Sequence, residues 1–144
     1  LSIDDTKDII SKLIDKFPTI KAPIKSDICY ATQNRQDAVK SILKDCDYLL
    51  VIGSINSSNS RRLSELAIKN NIPSKLIDNK NDIDLDALKD KKTIGITAGA
   101  SAPEILLDEV TSYLIEEGAI LKNIGNDKIK EDIVFSIPKE LRNL

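Results

Sequence analysis

The stretch DYLLVIGSINSSNSRRLSELA, residues 47–67, decides the fold class. It begins with the continuous apolar run Tyr48–Ile52, which predicts a strand covered on both faces. A loop rich in serine and asparagine follows at residues 53–60, and helical spacing of apolar residues then continues to about residue 70. A buried strand that passes through a polar loop into a helix is typical of α/β proteins.

Strand and helix signals alternate along the rest of the chain. A helix is predicted from Pro103 onward, a helical turn around Leu85, and an earlier helix for which Asn34 is a candidate cap. Further apolar strands are predicted at residues 75–77, 93–97, 120–124 and 133–137. This alternation predicts an α/β fold with an open, mostly parallel sheet flanked by helices.

A separate amphipathic helix is predicted at the start of the chain. Its apolar residues recur at helical spacing, namely Ile9, Ile10, Leu13, Ile14 and Phe17. Pro18 and Pro23 then bracket a short extended linker. We therefore expect residues 1–24 to be a helix and linker from a preceding module. Residues 25–144 are expected to form one α/β module with a closing strand segment.

Composition excludes several classes of protein. The 144 residues carry 21 basic and 23 acidic side chains, a balance that argues against nucleic-acid binding. Apolar runs are far shorter than the roughly 20 residues that span a bilayer, so no membrane association is expected. Two cysteines and the lack of a secretory leader favour a reduced, cytoplasmic protein. Because the sequence has no Met and starts at Leu1, we expect a piece of a longer protein.

Cys29 is the first candidate for chemistry. It lies in the segment DICYATQNRQ, residues 27–36, just before a predicted helix. A helix N-terminus favours the thiolate, which is the form that binds metals or acts as a nucleophile. The alternative is that Cys29 is a small, half-buried residue that only packs. Cys46 lies on an apolar helix face, which favours a role in core packing.

The other two candidates are strand-to-helix loops. The first, residues 53–60 (GSINSSNS), is called the serine loop; its side chains and backbone N–H groups suit an anion. The second, residues 97–103 (TAGASAP), is called the glycine loop. There Gly99 lets a ligand approach the backbone, and Ser101 could cap the helix or contact an oxyanion. Each loop could instead be an ordinary capped turn.

The position of these loops matters more than either loop alone. Both follow strands of a parallel sheet, so they should open on the same edge as the helix that begins after Cys29. None of the three segments carries a Lys or Glu. This pattern fits a phosphate held by dipoles beside a metal centre better than it fits hydrolysis.

The three segments, in this order and spacing, resemble the LytB-type 4-hydroxy-3-methylbut-2-enyl diphosphate reductases. The resemblance rests on residues 27–36, 53–67 and 97–103, on DIVFSIPKELR at residues 132–142, and on the opening LSIDDT. It covers essentially the whole chain. It implies the third α/β module of a three-module enzyme built around a 4Fe–4S cluster.

The resemblance also implies roles for particular residues. Cys29 would be the cluster ligand of this module, and Ser57, Asn59 and Ser101 would hold the substrate diphosphate, with Ser58 as a weaker candidate. The implied reaction is the reductive removal of a hydroxyl group from 4-hydroxy-3-methylbut-2-enyl diphosphate, giving isopentenyl and dimethylallyl diphosphate in the methylerythritol phosphate pathway. Ferredoxin or flavodoxin would supply the electrons.

Other parts of the family's chemistry have no counterpart in this sequence. Its further cysteines, its histidines and a proton-relaying Glu lie upstream of the matching segment, so no catalytic residue is expected here. We expect this chain to be the C-terminal portion of such an enzyme, with the missing N-terminal modules as partners. Two other interpretations stay open: a non-redox module that binds a phosphate ester, and a degenerate relative that serves as a scaffold.

Overall fold

A computed structural model describes residues 3–21 and 30–122 of the chain. In chain order its elements are α1 (Ile3–Lys16), α2 (Tyr30–Ile42), β1 (Tyr48–Ile52), α3 (Ser58–Lys69), β2 (Ser74–Ile77), a 3₁₀ turn (Lys80–Asp82), α4 (Leu85–Leu88), β3 (Ile94–Ala98) and α5 (Glu104–Glu116). Strands and helices alternate from α2 to α5, as the apolar runs of the sequence predict.

The three strands form one parallel sheet with β1 in the middle, in the order β2-β1-β3. All five residues of β1 are buried, which is why this strand is apolar throughout rather than alternating. In the register, Ile52 lies opposite Ile77 on one side and Ala98 on the other. The loops that follow β1 and β3 therefore leave the sheet side by side, at its carboxyl end.

Helices cover both faces of the sheet. Between one face and α2 and α3 lie Val39, Leu43, Cys46, Leu49, Val51, Leu63 and Ala67. The cluster on the other face draws on α4 and α5 and contains Tyr48, Leu50, Ile52, Ile77, Leu88, Val110 and Leu114. Each fully buried aliphatic side chain contributes about 1.5–3 kcal/mol to folding, so these two layers hold the carboxyl end of the sheet in place.

The predicted fold class is confirmed, with two corrections to its elements. The helix expected after Asn34 begins at Tyr30 instead, and Asn34 lies inside it. The side chains of Gln33 and Asp37 are hydrogen-bonded across one helical turn, which supports the helix through this position.

The strand expected at residues 120–124 is not formed by residues 120–122, where Ile120 is 92% exposed and has no neighbouring strand in the described part. The rest of that segment and the strand predicted at 133–137 lie outside the described residues.

The apolar face of α1 is exposed within the described part of the chain. Its exposed fractions lie between 39% and 51% for Ile9, Ile10, Leu13, Ile14 and Phe17. The predicted boundary at residue 24 falls among residues 22–29, outside the described ranges, so the division into a linker and a module stays a prediction. In residues 3–21 and 30–122, no helix is long and apolar enough to cross a membrane.

Candidate functional site

The serine loop lies at the carboxyl end of β1 and leads directly into α3. Ser57 is the N-cap of that helix, and its hydroxyl accepts a hydrogen bond from the N–H of Ser60 at 3.3 Å. Because the hydroxyl accepts from the backbone, its own proton is available to donate to another group. The N–H groups of Ser58 and Asn59 have no partner within the helix. The loop therefore presents several donors to an anion.

Asn59 is the most informative residue of the serine loop. Both polar atoms of its carboxamide, Oδ1 and Nδ2, are shielded from solvent and have no hydrogen-bond partner among the described residues. Leaving a buried polar group unpaired costs about 1–3 kcal/mol, and native structures contain few such groups. This carboxamide is therefore suited to bind a ligand or another part of the protein.

The glycine loop follows β3 and contacts the end of β1. The Gly99 N–H donates to the carbonyl of Ile52 at 2.8 Å, and the Ala102 N–H donates to the carbonyl of Gly99 at 3.0 Å. Ser101 is exposed in this turn and does not cap α5, since the N-cap is Pro103, without any side-chain hydrogen bond. The capping role considered for Ser101 is therefore not formed, and its contact with a ligand stays a prediction.

Arg35 joins the first half of α2 to this edge of the sheet. Its Nη1 donates to the carbonyl of Ala98 at 2.9 Å, directly before Gly99. Because α2 precedes β1 and runs back along the sheet, its N-terminus lies at the same edge as the N-termini of α3 and α5. Cys29 immediately precedes Tyr30 in the sequence but lies outside the described residues. Its place beside the two loops stays a prediction.

Cys46 lies at the opposite edge and is 8% exposed. It is in the connection between α2 and β1 and not on the helix face where the sequence placed it, because α2 ends at Ile42. Burial raises the pKa of its thiol, and this outweighs the opposing effect of a hydrogen bond with the Gly95 backbone. The protonated thiol is therefore favoured, which agrees with the packing role predicted for this residue. In the described ranges, no group of three or more His, Cys, Asp or Glu residues could hold a metal ion.

An open cavity of about 610 Å³ lies on the β2 side of the serine loop. Gly53 and Lys75 contribute to its lining together with three carboxylates, those of Asp78, Asp82 and Asp84. Three acidic side chains against one lysine disfavour an anion. This cavity is therefore a poor site for a diphosphate, and Asn59 is not among its lining residues.

Comparisons with known proteins identify the family of this chain. The family model of the LytB protein matches residues 1–115. The chain belongs to the LytB family. The segment at residues 132–142, which also carried the resemblance, lies beyond that match.

Among LytB relatives, 4-hydroxy-3-methylbut-2-enyl diphosphate reductase from Ruthia magnifica subsp. Calyptogena magnifica is 58% identical over 142 residues, covering 99% of this chain and 46% of that protein. The chain thus spans about half the length of the curated relatives it matches.

Two solved LytB structures share the fold. The E-1-hydroxy-2-methyl-but-2-enyl-4-diphosphate reductase from Plasmodium falciparum superposes with a TM-score of 0.71 at 38% identity, covering 81% of this chain and 36% of that one. The second is described as (E)-4-hydroxy-3-methyl-but-2-enyl diphosphate reductase, the terminal enzyme of the non-mevalonate pathway. It superposes with a TM-score of 0.60 at 28% identity, covering 81% of this chain and 41% of that one.

Sequence reasoning gave no role to two residues that hold this edge together. Arg35 lies within the quoted segment 27–36, but its partner is 63 residues away in the chain. Ser60 was treated only as the end of the serine loop, whereas it is fully buried between the two loops. A glycine directly follows each of the neighbouring strands β1 and β3. This pattern could have indicated a small side chain packed against both glycines.

Proposed function

We propose that this LytB family chain is the C-terminal part of a 4-hydroxy-3-methylbut-2-enyl diphosphate reductase, which forms isopentenyl and dimethylallyl diphosphate. Family membership, the names of its relatives and the two loops at one edge of the sheet support this proposal. The observation that carries it is the carboxamide of Asn59, which is buried without a partner among the described residues beside the N-terminus of α3.

In this proposal the chain's own residues bind and orient the diphosphate. The Ser57 hydroxyl, the Nδ2 group of Asn59 and the Ser101 hydroxyl donate hydrogen bonds to phosphate oxygens, and the N-terminus of α3 adds its free N–H groups. Ser58 is exposed at the first position of the helix and remains the weaker candidate. These neutral donors bind the diphosphate end of the substrate without a lysine. The other end, which carries the hydroxyl group, makes none of these contacts and stays free to react.

Cys29 is the residue of this chain that would hold a 4Fe–4S cluster. The chain has two cysteines, and the buried, protonated thiol of Cys46 does not fit the donor set. One thiolate supplies one ligand of such a cluster and not the full set, so the remaining ligands belong to upstream modules. When bound, the cluster supplies electrons and an iron with an open position that acts as a Lewis acid toward the substrate hydroxyl.

The remaining partners follow from the reaction. Ferredoxin or flavodoxin would supply two electrons. One proton, from a Glu outside this chain, would leave with the hydroxyl group as water, and a second proton would add to the allylic carbon to give either product. The scarcity of cysteine favours a reducing compartment, so a cytoplasmic location is part of the proposal.

The test uses the protein extended to the full length of its relatives and purified without oxygen. With reduced ferredoxin it should convert 4-hydroxy-3-methylbut-2-enyl diphosphate to both products and show the visible absorbance of an iron–sulfur cluster. The Cys29→Ser variant should lose absorbance and turnover but still bind inorganic pyrophosphate in a calorimeter.

Two other results would support the alternatives. Pyrophosphate binding by the wild-type protein without cluster absorbance or turnover would indicate a non-redox module for phosphate esters. Absence of binding and of turnover would leave a scaffold as the remaining interpretation.

A further inference from the structure

Ser60, the last residue of the serine loop, packs against Gly53 at the start of that loop and against Gly99 of the glycine loop, and it is not among the residues that bind diphosphate in the proposed function. It is the third residue of α3 and is fully buried, and its hydroxyl has no hydrogen-bond partner in the described part of the chain. Its N–H is already bonded to the Ser57 hydroxyl. The Ser60 side chain therefore acts through its size and position.

Two glycines face this side chain. Gly53 directly follows β1 with a φ of +153°, a conformation that residues with side chains rarely adopt, and Gly99 directly follows β3. A Cβ on either glycine would overlap the Ser60 hydroxyl. The Ser60 Cβ would itself be 2.9 Å from a Cβ at Gly53 and 3.4 Å from one at Gly99. Neither glycine position can therefore carry a side chain while Ser60 fills the space between them.

The backbones of the two loops also contact each other at this point. The Gly99 N–H donates to the carbonyl of Ile52, the residue before Gly53. From here the serine loop continues to Asn59 and the glycine loop continues to Ser101. A larger side chain at position 60 must therefore move the donors of one loop relative to those of the other, because packed interiors transmit such strain.

We propose that Ser60 is a positioning residue whose side chain sets the separation of the serine loop and the glycine loop. This separation determines whether Asn59 and Ser101 reach the same diphosphate. The inference rests on the proposed function, because it concerns donors assigned there. Since the proposed function gives Ser60 no contact with the reacting atoms or the phosphates, its effect falls on substrate affinity and not on the chemical step.

The experiment adds one methyl group with Ser60→Thr in the full-length enzyme. The KM for 4-hydroxy-3-methylbut-2-enyl diphosphate should rise by about tenfold or more, which is the effect of one misplaced hydrogen bond to a charged group. The kcat should stay within about threefold, because the reacting end is untouched. The Kd for inorganic pyrophosphate should rise with the KM, while the visible absorbance of the cluster stays unchanged.

Ser60→Ala and Ser64→Thr are the matched variants. Ser60→Ala removes an unpaired buried hydroxyl and enlarges nothing, so the thermal midpoint should not fall and KM should stay within about threefold. Ser64→Thr adds the same methyl group one turn further along α3, where the Ser64 hydroxyl is bonded to that of Ser74 at 3.0 Å. It should leave KM at the wild-type value.

A wild-type KM for Ser60→Thr, or an equal rise for Ser64→Thr, would overturn the inference. If Ser60→Thr does not fold, Ser60→Cys makes a smaller enlargement at the same place and is judged by the same KM criterion. Failure of the wild-type enzyme to turn over substrate would reject the proposed function. An active wild type with an unaffected Ser60→Thr variant would reject only the role of Ser60.

Discussion

The two ends of the parallel sheet differ in whether their polar side chains have hydrogen-bond partners. At the amino end, the carboxylate of Asp47 accepts hydrogen bonds from the N–H groups of Lys92 and Thr93 at 2.9 and 3.0 Å. At the carboxyl end, the carboxamide of Asn59 is buried without partners among the described residues. The same sheet thus has one end whose polar groups bind each other and one end whose polar groups remain available.

This difference separates residues that stabilise the fold from residues suited to a ligand. A paired carboxylate at the amino end ties the start of β1 to the start of β3 and contributes to stability. Unpaired buried groups at the carboxyl end lower stability, by about 1–3 kcal/mol each, and are expected where binding supplies the missing partner. Substitutions at the amino end should therefore alter unfolding, and substitutions at the carboxyl end should alter binding.

The two cysteines provide the largest contrast. In the full-length protein, Cys29→Ser should abolish cluster absorbance and turnover, whereas Cys46→Ser should keep both. Placing a hydroxyl in the buried site of Cys46 should instead lower the free energy of unfolding by about 1–3 kcal/mol. Anaerobic absorbance spectra, turnover and urea unfolding measure the three quantities. Loss of the cluster in Cys46→Ser would contradict the division between the two ends.

Asn59→Ala tests the carboxyl end directly. Removing a donor to a charged phosphate should lower kcat/KM by about 10- to 100-fold. The free energy of unfolding should not fall, because the carboxamide lost has no partner in the described structure. Asn56→Ala, an exposed position in the same loop, is the control and should change neither quantity. A large loss of stability with unchanged kcat/KM would show that Asn59 serves the fold.

Gly95→Ala tests the packing of the amino end. A Cβ at this position would lie 3.1 Å from the Cys46 Sγ and 3.1 Å from the Leu49 Cδ1, closer than ordinary contact. The variant should lose about 1–3 kcal/mol of stability without a change in KM. Combining it with Cys46→Ala should recover part of that loss, since the second substitution makes room. Strict additivity of the two effects in urea unfolding would argue against direct contact.

Asp47→Asn should give the smallest effect, visible as a change in pH dependence. Hydrogen bonds from the backbone of Lys92 and Thr93 lower the pKa of Asp47. Its contribution to stability is therefore complete above the unfolded pKa of about 4 and is lost as the pH falls through the lower folded value.

The thermal midpoint of Asp47→Asn should lie below that of the wild type at neutral pH, and the difference should shrink in acid. Asp45→Asn, at an exposed carboxylate two residues earlier, serves as the control. A difference in midpoint that is the same at every pH would exclude this role for the carboxylate.

Much of the fold could be predicted because its signals are local. The apolar run at Tyr48–Ile52 matches β1 at both ends, since a strand buried on both faces has no polar positions. The helical spacing expected to continue to about residue 70 matches α3, which ends at Lys69, because the apolar residues that define it lie within its own segment. The predicted start of α2 was wrong. Asparagine is favoured at helix caps, but the hydrogen bonds between Gln33 and Asp37 stabilise the helix around Asn34, which therefore lies inside it.

The sequence alone determined the alternation of strands and helices, the family and the three candidate segments for its chemistry, because these depend on residues close together in the chain. Only the tertiary structure decided that Ser60 fills the space between Gly53 and Gly99, and that Arg35 bonds to Ala98. Both contacts join residues from separate elements, whose distance depends on strand order and register. The spacing of residues along the sequence does not give that distance, so the packing between the loops is visible only in the tertiary structure.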